Sequence, residues 1–321
     1  MAASPTWTPS VGSTQSLPMI FSRHPRASRP GLMVSRWRQM VTGDGCPTLL
    51  HPTHGEACHD TRGAWAEANQ LHVHGCDLPR RLLCGERVRL LEVGSAPGWN
   101  LAAACSLAAS LPGALEVTAV ERSKEALDAS FEVSADSSWR GGAPSGAPEA
   151  LDQVHAALKA ALKLPPGEWV DLFGEVRLRL FVQPAHLLIK ELEIEEQFDA
   201  LFLDSFSPGV EPEAWDPDFL FALGGRVAAG GRLSTYTISH PVRAALLASG
   251  LRVGWSGARS GRRGGTWASR GGWVPPLSDR LRARLGRHAE RLLKFQAWAP
   301  PTGELECSRC DGLSPSPIHE P

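Results

Sequence analysis

The sequence predicts an α/β fold built on a doubly wound, mostly parallel sheet, and three observations carry that expectation. Short apolar runs recur along the chain and alternate with segments of helical period, the pattern of strands buried on both faces and joined by crossover helices. One run, residues 87–93, leads into GSAPGWN, a glycine bend followed by a small-residue stretch of helical character. Two other runs stop on an acid, Glu121 and Asp204. Open α/β sheets bind their ligands there, beyond the carboxyl ends of the strands.

A chain of 321 residues exceeds one average domain and accommodates a single large α/β domain with extensions. Seven cysteines, an odd number without framework spacing, argue for a reducing compartment. No apolar run approaches the length of a membrane-spanning helix. The formal net charge of -1 conceals an asymmetry: residues 226–294 carry 13 arginines and Lys294 against only Asp279 and Glu290. Such a basic third suggests a polyanionic partner, an ordinary solvated face being the alternative.

Residues 1–41 are expected to be a disordered or targeting extension. The stretch has no acid yet carries Arg23, Arg26, Arg29, Arg36 and Arg38 among many Ser and Pro, the composition of an organelle transit peptide. Arginine-biased, GC-rich coding upstream of a start at Met33 or Met40 gives the same composition, and disorder is the expectation in either case. Residues 42–275 are expected to form the main domain and 276–321 a basic helix with a Ser/Pro-rich tail.

In order along the chain, Gly43-Asp44-Gly45 predicts a turn and residues 63–71 a short helix. His51, His54, Cys58, His59, His72, His74 and Cys76 crowd together, but their spacing matches neither paired CxxC knuckles nor HExxH, and Cys307 and Cys310 form a lone CxxC, so no metal is expected. Residues 87–93 form the first sheet strand, with Gly94, Ala96 and Gly98 in the bend and a helix over 100–111. Close backbone approach and unpaired helix N–H groups suit a nucleotide-like ligand, although G-x-A-x-G is not G-x-G-x-x-G and a plain tight turn is the alternative. The strand over 115–120 ends on Glu121, where a ribose diol would find its acceptor. Ser123 starts a helix, 139–148 reads as a flexible insertion, and 149–164 is an amphipathic helix stopped by Pro165-Pro166-Gly167.

A third strand over 176–182 ends at Gln183-Pro184, and a fourth over 198–204 delivers Asp204 into a loop that turns at Pro208-Gly209. Pro212 opens a helix with Trp215, Phe219, Leu220 and Leu223 on one side. Asp204 is either a turn cap or a functional acid, and its place at a strand end favours the second. RLSTYT is a fifth strand, followed by a helix over 240–249 and a strand over 251–255. Arg259, Arg262 and Arg263 then occupy a glycine-rich loop, and Ser278 caps a helix with Leu281, Leu285, Leu292 and Leu293 inward and Arg280, Arg282, Arg284, Arg287 and Arg291 outward. These arginines read as a track for an RNA backbone, or as a charge match to the acid-rich stretch 191–218.

Taken in order and spacing, GSAPGWN with Glu121, FDALFLDSFSPGVEPEAW, AAGGRLSTYT, Pro241-Val242-Arg243 and GARSGRRGG resemble the methyltransferase half of the bacterial bifunctional tRNA enzyme MnmC and its stand-alone relatives. The likeness covers residues 42–269, and LDSFSPGVEPEAW is its most specific part. GEACHDTRGAWAEA is similar to the family segment around a Tyr-His-Ser, with Cys58-His59-Asp60 in its place. The resemblance implies a Rossmann-like class I methyltransferase using S-adenosylmethionine, acting on the aminomethyl group of a tRNA wobble uridine. It implies Gly94, Gly98 and Asn100 at the methionine end of the cofactor, Glu121 at the ribose, Glu92, Gln183 and Asp204 as further cofactor-binding residues, and Asp204 at the reacting amine. It also implies tRNA contacts from Arg243, Arg259, Arg262 and Arg263, a separate FAD-dependent oxidase supplying the amine, and a cytoplasmic location, or an organelle if residues 1–40 are a transit peptide. Ala96 stands where the family has a glycine, Gln183-Pro184 where it has Gly-Asp, and Gly264-Gly265 where it has Arg-Glu.

The chemistry follows independently of any family. A primary alkyl amine is mostly protonated at neutral pH and has no lone pair for attack. A methyl-transfer site must hold the neutral amine in line and stabilise the cation that develops on nitrogen. Asp204 suits that task by orientation and charge, an ordinary aspartate being too weak a base to deprotonate an ammonium. A dinucleotide oxidoreductase would want G-x-G-x-x-G and a second catalytic region, neither of which is present; a tRNA-binding module without turnover remains open.

Overall fold

The computed structural model describes residues 36–193, 195–257 and 264–298. The described residues open with an antiparallel hairpin, β1 (Arg38–Val41) and β2 (Pro47–Leu50). It turns through Gly45 at φ 79°, where any Cβ would meet the Gly142 carbonyl oxygen at 2.0 Å. This hairpin corrects the boundary expected at residue 42, because residues 36–41 belong to the same compact unit as the rest of the described chain. Next, α1 (Ala64–Glu67) widens into a π-helical turn, Ala68–Val73, before α2 (Leu78–Leu83). The expected helix over 63–71 is therefore present but underwound from Ala68 onward, in a way that apolar spacing does not announce.

The sheet and its crossovers follow as β3 (Arg87–Val93), α3 (Trp99–Ala109), β4 (Ala114–Glu121), α4 (Lys124–Ala135), α5 (Ala147–Ala161), β5 (Val170–Phe173), β6 (Val176–Val182), α6 (Ala185–Glu191), β7 (Phe198–Leu203), α7 (Pro217–Gly225), β8 (Val227–Thr235), α8 (His240–Ala248), β9 (Arg252–Trp255), β10 (Thr266–Ser269) and α9 (Asp279–Trp298). The strand order is β5-β6-β4-β3-β7-β8-β10-β9. The central five are parallel, whereas β5 and β10 run against their neighbours. The doubly wound, mostly parallel Rossmann-like sheet expected from sequence is thus the fold of the chain, with β5 and β10 as additions the sequence reading did not contain. Leu90, Leu91, Leu201, Phe202 and Leu203 are fully buried, each contributing about 1.5–3 kcal/mol, which explains why these runs are continuous rather than alternating.

Small residues let α3 lie close to the sheet: Ala102, Ala103, Ala104, Cys105 and Ala108 are all buried. Trp99 anchors its start, donating from Nε1 to the Pro47 carbonyl at 2.6 Å and meeting Trp65 and Trp139 edge-on. The stretch 139–148, expected to be flexible, is pinned instead. Trp139 is buried and donates to the Val133 carbonyl, while the Arg140 guanidinium grips both oxygens of Asp152 at 2.9 and 2.8 Å. The C-terminal helix α9 packs on α8 through Leu281, Leu285 and Leu292, so it belongs to the main body and not to a separate piece. Leu293, expected inward, is exposed, and Arg280, Arg282, Arg284, Arg287 and Arg291 face solvent.

Sheet direction reverses at β3, whose neighbours β4 and β7 lead to opposite edges. At that switch point the carboxyl ends of β3 and β7 leave a crevice, and Gly94 and Asp204 sit at its two lips.

Candidate active site

The two lips touch. Asp204 N–H donates to the Val93 carbonyl and Gly94 N–H to the Val120 carbonyl, both at 2.9 Å. Gly94 takes φ 90°, and a Cβ there would stand 2.6 Å from the Asp204 carbonyl oxygen, so only glycine permits the approach. Gly98, at φ 105°, ends the bend and precedes the first turn of α3, whose early N–H groups are free to meet an anion.

Asp204 is the centre of the site. Its side chain is 5 % exposed and lies 3.7 Å from His72 Nε2, while Asn100 Nδ2 donates to Oδ2 at 2.8 Å. Burial alone would raise its pKa, but the charges and hydrogen bonds of His72, His59 and Asn100 outweigh burial and hold it below the usual carboxylate value. His72 is fully buried, fixed through Nδ1 to Ser234 Oγ at 2.8 Å, and it is the π-helical turn that carries it inward. Glu92, 1 % exposed on β3, is pushed the other way, well above the usual range, by burial and then by the charge of Asp204. Two carboxyls in one crevice are thereby pushed in opposite directions.

Glu121 closes the glycine bend. One of its oxygens accepts from the N–H groups of Ser95 and Ala96, both at 3.1 Å, and the other from Ser123 N–H at 3.0 Å. Burial raises its pKa, with the backbone donors opposing. A second brace comes from His155, which bonds the Pro97 carbonyl through Nε2 and Ser134 Oγ through Nδ1, both at 2.7 Å. The loop after Asp204 is held as firmly: Tyr236 O–H donates to the Ser205 carbonyl at 3.0 Å, Trp215 Nε1 to the Phe206 carbonyl at 2.5 Å, and Ser207 to Glu56 through both N–H and Oγ.

The residues present fit S-adenosylmethionine. Glu92 Oε2 and Asn100 Oδ1 are buried acceptors without a partner in the crevice, suited to a ligand's ammonium, and the start of α3 is suited to its carboxylate. Glu121, although occupied by backbone donors, keeps spare acceptor capacity at the tip of β4. Gln183 lies at the tip of β6, its amide donating to Glu191 at 2.8 Å.

The structure thus gathers Glu92, Gly94, Gly98, Asn100, Glu121 and Asp204 around one crevice. Arg243 must be removed from the expected RNA contacts: it is 4 % exposed, with Nε donating to Thr266 Oγ1 at 2.8 Å and another nitrogen to the Gly265 carbonyl at 3.0 Å. Its guanidinium is an internal brace between α8 and β10. Arg259, Arg262 and Arg263 lie outside the described residues. The crowd of histidines and cysteines disperses to separate tasks, His72 on Asp204, His59 on Thr48 at 3.3 Å, and Cys76 on the carbonyls of Leu201 and Arg232. His72, His155 and Glu56 were not singled out as site residues from sequence, and nothing in their local spacing distinguishes them from surface polar residues.

Comparison with known proteins gives the family. A family model of S-adenosyl-L-methionine-dependent methyltransferases matches residues 148–271. The chain is 32% identical over 216 residues to the tRNA 5-methylaminomethyl-2-thiouridine biosynthesis bifunctional protein MnmC of Paracidovorax citrulli, covering 65% of this chain and 32% of that protein. It is 30% identical over 237 residues to the protein of the same name from Aromatoleum aromaticum, covering 71% and 35%. The chain therefore spans about one third of the length of the curated relatives it matches. Among solved structures, MNMC2 from Aquifex aeolicus superposes with a TM-score of 0.64 at 27% identity, covering 79% of this chain and 77% of that one.

Proposed function

The chain belongs to the S-adenosyl-L-methionine-dependent methyltransferases of the MnmC kind, and on that premise we propose that it methylates the primary amine of an aminomethyl-uridine at the wobble position of a tRNA. The observation that carries the reading is Asp204: a buried carboxylate held below the usual pKa at the sheet's switch point, beside orphaned acceptors that suit a cofactor's ammonium. When bound, the cofactor supplies an electrophilic methyl carbon on a sulfonium. Glu92 and Asn100 hold its amino group, the first turn of α3 its carboxylate, and Glu121 the ribose side.

Asp204 accepts a hydrogen bond from the substrate amine, which orients the nitrogen lone pair away from the carboxylate and toward the methyl carbon. Methyl transfer from a sulfonium, with the thioether as leaving group, would place positive charge on the amine nitrogen, and the fixed negative charge of the buried Asp204 carboxylate would stabilise it. His72 and Asn100 hold the carboxylate still and ionised. Tyr236, with its pKa raised by burial and then by the Asp204 charge, remains a neutral donor to the loop.

The RNA backbone is bound by the basic third, through Arg259, Arg262 and Arg263 and the exposed arginines of α9. The amine is supplied by a separate FAD-dependent oxidase, and both enzymes act in the cytoplasm. Among the described residues no helix is long and apolar enough to cross a membrane. The test is calorimetric titration with S-adenosylmethionine, followed by incubation with tRNA carrying aminomethyl-uridine and mass spectrometry of the digested nucleosides. Binding without appearance of methylaminomethyl-uridine would refute the proposed substrate.

A further inference from the structure

At the mouth beside Asp204 stands a group of four rings that methyl transfer itself does not use. Trp37 precedes β1, His51 and His54 follow β2, and Phe206 lies two residues past Asp204. The His51 ring centroid is 5.4 Å from Trp37, 5.1 Å from Phe206 and 4.8 Å from His54, and Trp37 lies 6.0 Å from Phe206 at an interplanar angle of 33°. Trp37, His51 and Phe206 are half-buried and His54 is exposed, so the cluster is not sealed as core rings are. Glu56 accepts from Ser207 N–H at 2.7 Å and from Ser207 Oγ at 2.5 Å, which joins the hairpin side of the cluster to the loop that carries Asp204.

The surrounding charge is mixed with a basic rim. Arg36 and Arg38 flank Trp37 and are exposed. Arg122 stands on the other side, 3.6 Å from Glu211 and 3.7 Å from Glu213. His51 titrates below its ordinary value through burial and then through the charge of His54, Glu56 opposing and Arg122 adding, which favours the neutral ring at neutral pH.

We propose that Trp37, His51, His54 and Phe206 form a stacking platform for unpaired nucleobases of the RNA loop that carries the substrate amine, setting the depth at which that amine meets Asp204. Every base offers a π-face, so an aromatic platform takes single-stranded RNA with little regard to sequence, and cations at its rim receive the phosphates. Duplex RNA hides its base faces and gains only the cations. The inference rests on the RNA substrate proposed above and adds the element of the chain that selects unpaired bases next to the reacting atom.

The test uses the full chain and two fluorescent RNAs, a stem-loop with a seven-nucleotide unpaired loop and a blunt duplex of equal charge, at fixed salt. His54→Ala, at an exposed ring, and Trp37→Leu should each weaken the stem-loop by roughly 5- to 100-fold, the worth of one stacked base. Duplex affinity and the Kd for S-adenosylmethionine should stay at the wild-type values. Equal loss for both RNAs, or no loss for either, overturns the platform while leaving the RNA substrate in place. A wild-type protein that binds S-adenosylmethionine but neither RNA overturns the substrate reading itself, and the platform with it. Thermal melting separates these outcomes from misfolding in Trp37→Leu, and His54→Ala carries the test if that variant does not fold.

Discussion

Acidification should loosen the glycine bend through one side chain, His155. Its Nε2 must be the protonated nitrogen, because the Pro97 carbonyl 2.7 Å away can only accept; Nδ1 then accepts from the Ser134 hydroxyl. The ring is 1 % exposed, and burial lowers its pKa to about 4, the Pro97 bond opposing. Unfolded, the imidazole titrates near 6.5. The native state therefore binds fewer protons between these values, so the stabilisation is complete above pH 6.5 and is lost as pH falls toward 4. The gap corresponds to about 3 kcal/mol at most, a large share of the stability of a typical domain. Glu211, pushed up to about 7 by burial and then by Glu121, works in the opposite direction, so the wild type alone does not isolate the effect. Urea unfolding of wild type and His155→Gln from pH 7.5 to 4.5 does: the wild-type advantage should shrink by about 2–3 kcal/mol on acidification. Parallel stability curves would falsify the assignment of the buried neutral ring as the brace.

Asp204→Asn keeps the size of the side chain but removes the charge, so methyl transfer should fall by about 100-fold or more while calorimetry shows S-adenosylmethionine still bound; retained turnover removes Asp204 from the chemistry. His72→Leu deletes the imidazole whose contact helps depress Asp204, so the acid limb of kcat should move to higher pH, and an unmoved limb shows that the pairing is only structural. Arg243→Met should lower the unfolding free energy by about 1–3 kcal/mol through the orphaned Thr266 and Gly265 acceptors, without altering the salt dependence of tRNA binding; a changed salt slope restores Arg243 to the RNA face. Replacing Arg262 and Arg263 together by Ala should instead flatten the slope of log K against log salt by about 1–2, and a variant that loses only thermal stability counts against the proposed track.

The central strands were legible because burial on both faces writes itself as uninterrupted Leu, Val and Phe, and the acids at their tips announced the crevice. The glycine bend was legible for a similar reason, since Gly94 and Gly98 hold φ values that other residues avoid. What stayed hidden depends on distant partners. Arg243 looks in sequence like any helical arginine, and its burial follows only from β10 arriving 23 residues later. The stretch 139–148 has the composition of a mobile loop, yet Trp139 and the Arg140–Asp152 pair fasten it. His72 sits in a π-helical turn whose geometry has no periodic signature, and His155 lies on an amphipathic helix where an inward polar residue reads as an exception. β1 fell within a stretch whose composition argued for disorder, and β5 and β10 are only four residues each.

The order β8-β10-β9 has a consequence for biosynthesis. β9 is made before β10 but enters the sheet through it, since among the described strands its ladder runs to β10. A nascent chain that has emerged through Trp255 carries β8 with an open edge, the kind of unpaired ladder on which other chains pair. That edge is capped only when Thr266–Ser269 threads in against it and brings β9 alongside, and the eight-stranded sheet is therefore completed late in translation. A pause after Trp255 has cleared the ribosome and before Thr266 has would hold the protein with this edge of β8 unpaired.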